Sequence, residues 1–347
     1  MTYRIARMLL LALASALLTA PAAFAQSKAP DAAATSVLLD TAQLLQARER
    51  GAIIWDTRAA ALYRQGHIPG AVNIGDVGAV LRDENSEDYI AQPRIEKILG
   101  SAGIDPQREV VVYGAKASPY VYFALLTLQY FNAQAPKIYH GGIEDWQASG
   151  QGVSTEDSKL PSVALKLNAR PELLVDTAEV VRRLRDPSLQ IVDARTPEEF
   201  RGEDIRALRG GHIPGAVAVH YMDNWVDPDA RSKLDRKQIS SAEGLNLKPR
   251  EQLQTLYAKL DPNKETIVYC QSGVRAAETA TVLSELGFKN VRVYDSSWIG
   301  YGNTLDAPVE DVTYFNLGNL QAKLNAMQKR IDSLEKELAT KASKAAH

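Results

Sequence analysis

Cysteine is almost missing from this chain: Cys270 stands alone among 347 residues. A single cysteine excludes an intramolecular disulfide and a CxxC redox couple. Histidine is also scarce, with five residues that never cluster, which argues against a structural metal site. No charge of one sign dominates. Lys and Arg number 40 against 42 Asp and Glu, a formal net of -2, so composition marks neither a nucleic-acid nor a membrane-surface binder. Long apolar runs are absent beyond the first 25 residues. There Arg4 and Arg7 precede an apolar stretch from Met8 to Leu18, and Ala23-Phe24-Ala25 fits a small-residue cleavage site. The stretch is short for a membrane span and Pro21 interrupts it. Residues 1–25 therefore read as a signal peptide cleaved after Ala25, leaving a periplasmic or secreted protein without a membrane anchor. Gln26 follows the cut, so no lipid-bearing cysteine is offered there.

What is present is a duplication. Ile53-Ile-Trp-Asp56-Thr-Arg58 recurs as Gln190-Ile-Val-Asp193-Ala-Arg195, and Gly66-His67-Ile-Pro69-Gly70-Ala-Val72 as Gly211-His212-Ile-Pro214-Gly215-Ala-Val217. Glu109-Val-Val-Val-Tyr113 recurs as Glu265-Thr-Ile-Val-Tyr269. Three matches in one order indicate two copies of a domain, at a period too long for a solenoid. We place the copies at 36–150 and 173–310, with a polar linker at 151–172. In the second copy, strands at Gln190–Asp193, Val217–Val219, Thr266–Tyr269 and, last, Val291–Tyr294 alternate with helical stretches. Short apolar runs between helices predict a mostly parallel sheet covered on both faces. In such folds ligands bind at the carboxyl ends of strands, where Cys270 falls.

The context of Cys270 is that of a reactive thiol. A β-branched run ends at it, Gln271, Ser272, Gly273 and Val274 form the turn, and a helical stretch follows. Gly273 lets the backbone fold tightly, and Arg275 brings a positive charge. Loop amides, a helix N-terminus and a basic neighbour favour a thiolate. A bare free cysteine would otherwise read as a small core residue. The first copy has Gly114 at the equivalent place, so it carries no thiol chemistry.

These residues resemble the rhodanese family of tandem-domain sulfurtransferases. The resemblance rests on Asp193-Ala-Arg195, Glu199-Phe-Arg-Gly202, Gly211-His-Ile-Pro-Gly-Ala216, the Cys270 loop and Tyr294-Asp-Ser-Ser-Trp298 with Gly302-Asn303, in that order. It spans roughly Asp40 to Glu310. It implies an α/β fold of two tandem rhodanese-like domains, the first inactive and the second catalytic, with the site at the cleft between them. It also implies sulfur transfer in two steps. Cys270 takes the outer sulfur of a small-molecule donor as a persulfide and passes it to cyanide or a thiol. No metal or organic cofactor is required. Cysteine phosphatases place five residues between nucleophile and arginine; here four separate Cys270 from Arg275.

Thiosulfate is the expected donor, with 3-mercaptopyruvate as the alternative. Arg275 suits a dianion such as thiosulfate, whereas Ser272-Gly273-Val274 matches the loops of 3-mercaptopyruvate enzymes. That class carries an arginine before the aromatic residue where this chain has Glu199, and Arg201, Arg206 and Arg209 lie nearby. The anion-binding candidates are Arg275, Gln271, Ser272, Gly273, Val274, Arg195 and Arg201. His67 and His212 share a motif across both copies, which argues for structure; the alternative puts His67 in the cleft, handling a proton with Ser272. Asp56 and Asp193 are expected to anchor loops through Arg58 and Arg195, and Trp225 and Trp298 to pack. A persulfide carrier docking to a partner protein is the competing reading.

The tail differs in kind. Leu317, Leu320, Leu324, Met327, Ile331, Leu334 and Leu338 are spaced 3-4-3-4-3-4, a heptad seam. This predicts an amphipathic helix at 314–340 that either associates as a homo-oligomer or packs along its own domain.

Overall fold

The computed structural model describes residues 36–83, 88–311 and 314–345. The expected signal peptide lies outside the described residues. No described helix is long and apolar enough to cross a membrane.

Five strands build the first domain: β1 (Leu38–Leu39), β2 (Ile53–Asp56), β3 (Val72–Asn73), β4 (Glu109–Tyr113) and β5 (Ala135–Tyr139). The second repeats them as β6 (Leu174–Val175), β7 (Leu189–Asp193), β8 (Val217–Ala218), β9 (Glu265–Tyr269) and β10 (Asn290–Tyr294). The strand orders are β1-β5-β4-β2-β3 and β6-β10-β9-β7-β8. Every pairing is parallel, so the sheets are wholly rather than mostly parallel. The central strands explain why. Val110–Tyr113 and Thr266–Tyr269 are buried throughout, as uninterrupted β-branched and aromatic runs are when helices cover both faces. One strand escaped the sequence reading: β6 lies beyond β10, so β10 is not the sheet's edge. Two residues are too few to show a period.

The helices that follow the two central strands, Pro119–Tyr130 and Val274–Leu286, face each other across the domain seam. Val121 to Leu128 are all buried, because one side of that helix meets its own sheet and the other meets the second domain. Ala276, Ala277 and Ala280 on the opposing helix allow close approach. One apolar cluster runs without a break from Trp55 through Phe123 to Val268 and Cys270. Polar ties reinforce it: Arg231 donates to the Lys116 carbonyl at 2.6 Å, and Nε2 of His140 meets the Leu245 carbonyl oxygen at 2.8 Å.

The linker is irregular but bound. The Val163 N–H donates to the Gly100 carbonyl at 2.9 Å. A Cβ at Gly100 would stand 2.3 Å from the Val163 oxygen, so this helix position accepts only glycine without rearrangement.

Candidate active site

Cys270 is the first residue past β9, the central strand of the second sheet. It is 1% exposed. Its carbonyl accepts from the Trp298 N–H and that of Gln271 from the Ile299 N–H, both at 3.0 Å. The loop is thus pinned to the start of the Ser297–Asn303 helix. Gly273 adopts φ +79°, and a Cβ there would lie 2.7 Å from the Asp295 carbonyl oxygen, so the turn depends on glycine.

Ser297 is the clamp that the sequence reading missed. Its Oγ accepts from the Cys270 N–H (3.1 Å) and the Gly273 N–H (3.0 Å) and donates to the Tyr294 carbonyl (2.6 Å). The residue is fully buried at φ +48°, a strained conformation for serine that the surroundings must enforce. Two loop amides expected to face the sulfur are therefore taken by Ser297. The N–H groups of Gln271, Ser272, Val274 and Arg275 have no hydrogen-bond partner among the described residues. The signal for Ser297 was legible in the duplication: Tyr139-His-Gly-Gly142 aligns with Tyr294-Asp-Ser-Ser297.

The charge beside the thiol is a pair, not a lone cation. The Arg275 guanidinium grips Glu199 through a fork of 2.6 and 2.9 Å. Burial opposes charge on both partners. The arginine nevertheless holds the Glu199 carboxyl down at about 2, and Glu199 and Cys270 both favour the charged arginine. Glu199 is positioned by a capping box with Thr196 and also touches Arg206 at 3.2 Å. The ring of Tyr221 lies 5.8 Å from the Arg275 guanidinium.

Gln271, Ser272 and Val274 open onto a cavity of about 520 Å³ between the domains. Arg206 and Ile299 complete its second-domain wall, and Asp76, Arg82 and Tyr120 belong to the first-domain wall. Arg82 crosses the seam to pair with Asp295 at 2.9 Å, the same carboxylate that lies against Gly273. The first domain thus braces the thiol loop.

Several candidates belong elsewhere. Arg195 is buried, forks onto Asp193 and lies 4.3 Å over the Trp298 ring, where it anchors the β7 end. Its counterpart Arg58 binds Asp56 in the same way. Arg201 is half-exposed and paired with Glu203 at 2.9 Å, away from the loop. His67 is fully buried, stacked 3.7 Å from the Tyr63 ring, with Nδ1 on the Tyr63 carbonyl oxygen; it does not line the cavity. His212 repeats this arrangement on Phe200. Gln271 turns its Nε2 onto the Arg206 carbonyl at 2.7 Å, so its side chain serves the wall. Trp225 and Trp298 are packed, with Nε1 bound to Glu278 and to the Arg209 carbonyl. Lys116, in the first domain's equivalent loop, pairs with Asp145. At Gly114 a Cβ would stand 2.7 Å from Thr57 Oγ1 and 2.9 Å from Val121 Cγ2. Among the described residues no group of His, Cys, Asp and Glu is placed to hold a metal ion.

The rhodanese-like domain matches this chain twice, over residues 40–149 and 176–304. A thiosulfate sulfurtransferase of Corynebacterium glutamicum is 34% identical over 272 residues, covering 74% of this chain and 84% of that protein. A putative thiosulfate sulfurtransferase of Mycobacterium leprae is 31% identical over 265 residues, covering 72% and 87%. Among solved structures, wild-type EanB superposes with a TM-score of 0.68 at 21% identity, covering 79% of this chain and 69% of that one. The anaerobic ergothioneine biosynthesis enzyme from Chlorobium limicola gives 0.67 at 21% identity, covering 79% and 70%. At that identity the two structures speak to the fold.

Proposed function

The chain belongs to the rhodanese family of sulfurtransferases, and from that premise we propose that Cys270 carries sulfur from thiosulfate to a thiol or cyanide as an enzyme-bound persulfide. In the first half-reaction the Cys270 thiolate attacks the outer sulfur of thiosulfate. A new S–S bond forms at Sγ, the donor's S–S bond breaks, and its electron pair leaves with sulfite. In the second, the acceptor attacks the outer sulfur of the persulfide and returns the thiolate.

The observation that carries this reading is the location of Cys270. It directly follows the central strand, behind a loop that opens onto the interdomain cavity, beside Arg275 and the unbonded amides at the start of the Val274–Leu286 helix. A helix N-terminus and free amides suit a departing anion. The relatives named as thiosulfate sulfurtransferases support this donor. Burial of the sulfur favours small molecules arriving through the cavity over handover to a docked protein. A carboxylate donor such as 3-mercaptopyruvate has one observation on its side: Arg206, half-exposed, lies on the cavity wall beside Ser272.

The test is thiocyanate formation from cyanide, with thiosulfate and 3-mercaptopyruvate as donors side by side, on the protein and on Cys270→Ser. Turnover on thiosulfate that vanishes in the variant is expected. Preference for mercaptopyruvate would replace the donor, and a stable persulfide without turnover would leave a carrier. The same reading includes export. Residues 1–25 act as the signal peptide, and the N-terminus of protein recovered from the periplasm or medium should begin at Gln26.

A further inference from the structure

The helix Leu317–Ala345 is tied to its domain at its base. Asn316 receives the Asn319 N–H on its own Oδ1, donates its N–H to the Leu208 carbonyl and its Nδ2 to the Ile205 carbonyl; Asn319 Nδ2 donates to the Ala207 carbonyl. Beyond that point Gln321 bonds Asn325 and Gln328 bonds Asp332, both along the helix itself. The seven apolar residues of the seam, Leu317 through Leu338, are 38 to 72% exposed. Among the described residues none of the seven is buried against its own domain, which disfavours the packing alternative for this tail.

We propose that this helix is a dimerisation element, pairing in parallel and in register with the same helix of a second copy of the chain. The repeat of 3.5 residues is that of a left-handed two-helix seam, and a helix lying on a flat surface would follow 3.6. Over Leu317–Leu338 the stripe runs about 32 Å, long enough for three heptads of knobs in holes. Charge fixes the orientation. With Leu317 at position a, Arg330 falls at g and Glu335 at the following e, so a parallel pair forms two such ion pairs across the seam. Asn316 with Gln321 and Lys323 with Gln328 flank them without like charges. Antiparallel pairing fares worse. The two registers that keep the seam overlapped set Arg330 against Lys323 or against Arg330 of the other copy. An anionic membrane surface is a poorer fit, because Asp332, Glu335 and Glu337 sit among the lysines.

Sedimentation velocity of the full chain at micromolar concentration tests this. The expected species has twice the mass of one chain. Leu324→Lys combined with Ile331→Lys is expected to give a single chain, with thiosulfate turnover and melting of the two domains unchanged. Arg330→Glu alone should weaken association at least tenfold, and adding Glu335→Arg should restore it, which only the parallel register does. A wild-type monomer, a dimer indifferent to the seam substitutions, or failure of the charge swap to rescue would each overturn the proposal. So would co-sedimentation with phosphatidylglycerol vesicles that the seam variant abolishes while the wild-type mass stays at one chain.

Discussion

Glu278→Gln probes the most unusual ionisable group at the domain seam. Glu278 sits one turn beyond Arg275 on the Val274–Leu286 helix, fully buried. One carboxyl oxygen accepts from Trp225 Nε1 at 2.7 Å, and the other has no partner among the described residues. Burial pushes its carboxyl up to about 8 from an ordinary 4.5, against the opposing pull of the Trp225 bond. The folded protein therefore binds this proton more tightly than the unfolded chain. Its contribution is fully present below pH 4.5 and is lost as pH rises to about 8. At about 1.4 kcal/mol per pH unit the loss is about 3 kcal/mol at pH 7 and about 5 kcal/mol above pH 8. Glutamine keeps the acceptor for Trp225 and never ionises. Its extra N–H groups cost about 1–3 kcal/mol at every pH. The variant should thus be the less stable protein at pH 5 and gain on wild type by about 4 kcal/mol between pH 5 and pH 8. Urea unfolding at four pH values reads this directly. Two stability curves that stay parallel over that range would refute the reasoning, whatever the offset between them.

Glu199→Gln acts in the opposite direction, because Arg275 holds that carboxyl near 2 and its stabilisation is present above pH 4.5 and fades as pH falls toward 2. The variant should lose about 3 kcal/mol at neutral pH and match wild type in strong acid. It should also bind thiosulfate with a lower KM, since Arg275 no longer shares its charge with Glu199; an unchanged or higher KM speaks against that competition. Ser297→Ala keeps the backbone conformation but strips the Cys270 and Gly273 N–H groups of their acceptor. It should cost about 2–4 kcal/mol in chemical unfolding and slow sulfite release, and a change within 0.5 kcal/mol would show that the clamp is dispensable.

The duplication, the parallel order and Cys270 at a strand end were legible because each rests on local pattern: a β-branched run, a repeated Asp-x-Arg, a repeated His-Ile-Pro-Gly. What stayed hidden was long-range pairing. Glu199 looked like a departure from an expected arginine, yet it is the carboxylate that Arg275 grips 76 positions away. Arg195 and Arg201 looked like anion ligands because arginine near a motif does; Asp193 and Glu203 had already claimed them. Arg82 lacks any motif, and only folding brings it to Asp295 across 213 positions. Ser297 alone was within reach, had the two sheet-ending tetrapeptides been set side by side.

Gly114 has a consequence for how such a chain can change over time. The first domain keeps the strand, the turn and the helix that would present a nucleophile, yet Thr57 and Val121 have closed over the spot where its side chain would begin. A side chain placed there would force the buried Thr57 and Val121 side chains to shift. What this half gives the thiol loop is a wall, with Arg82 reaching across the seam to Asp295.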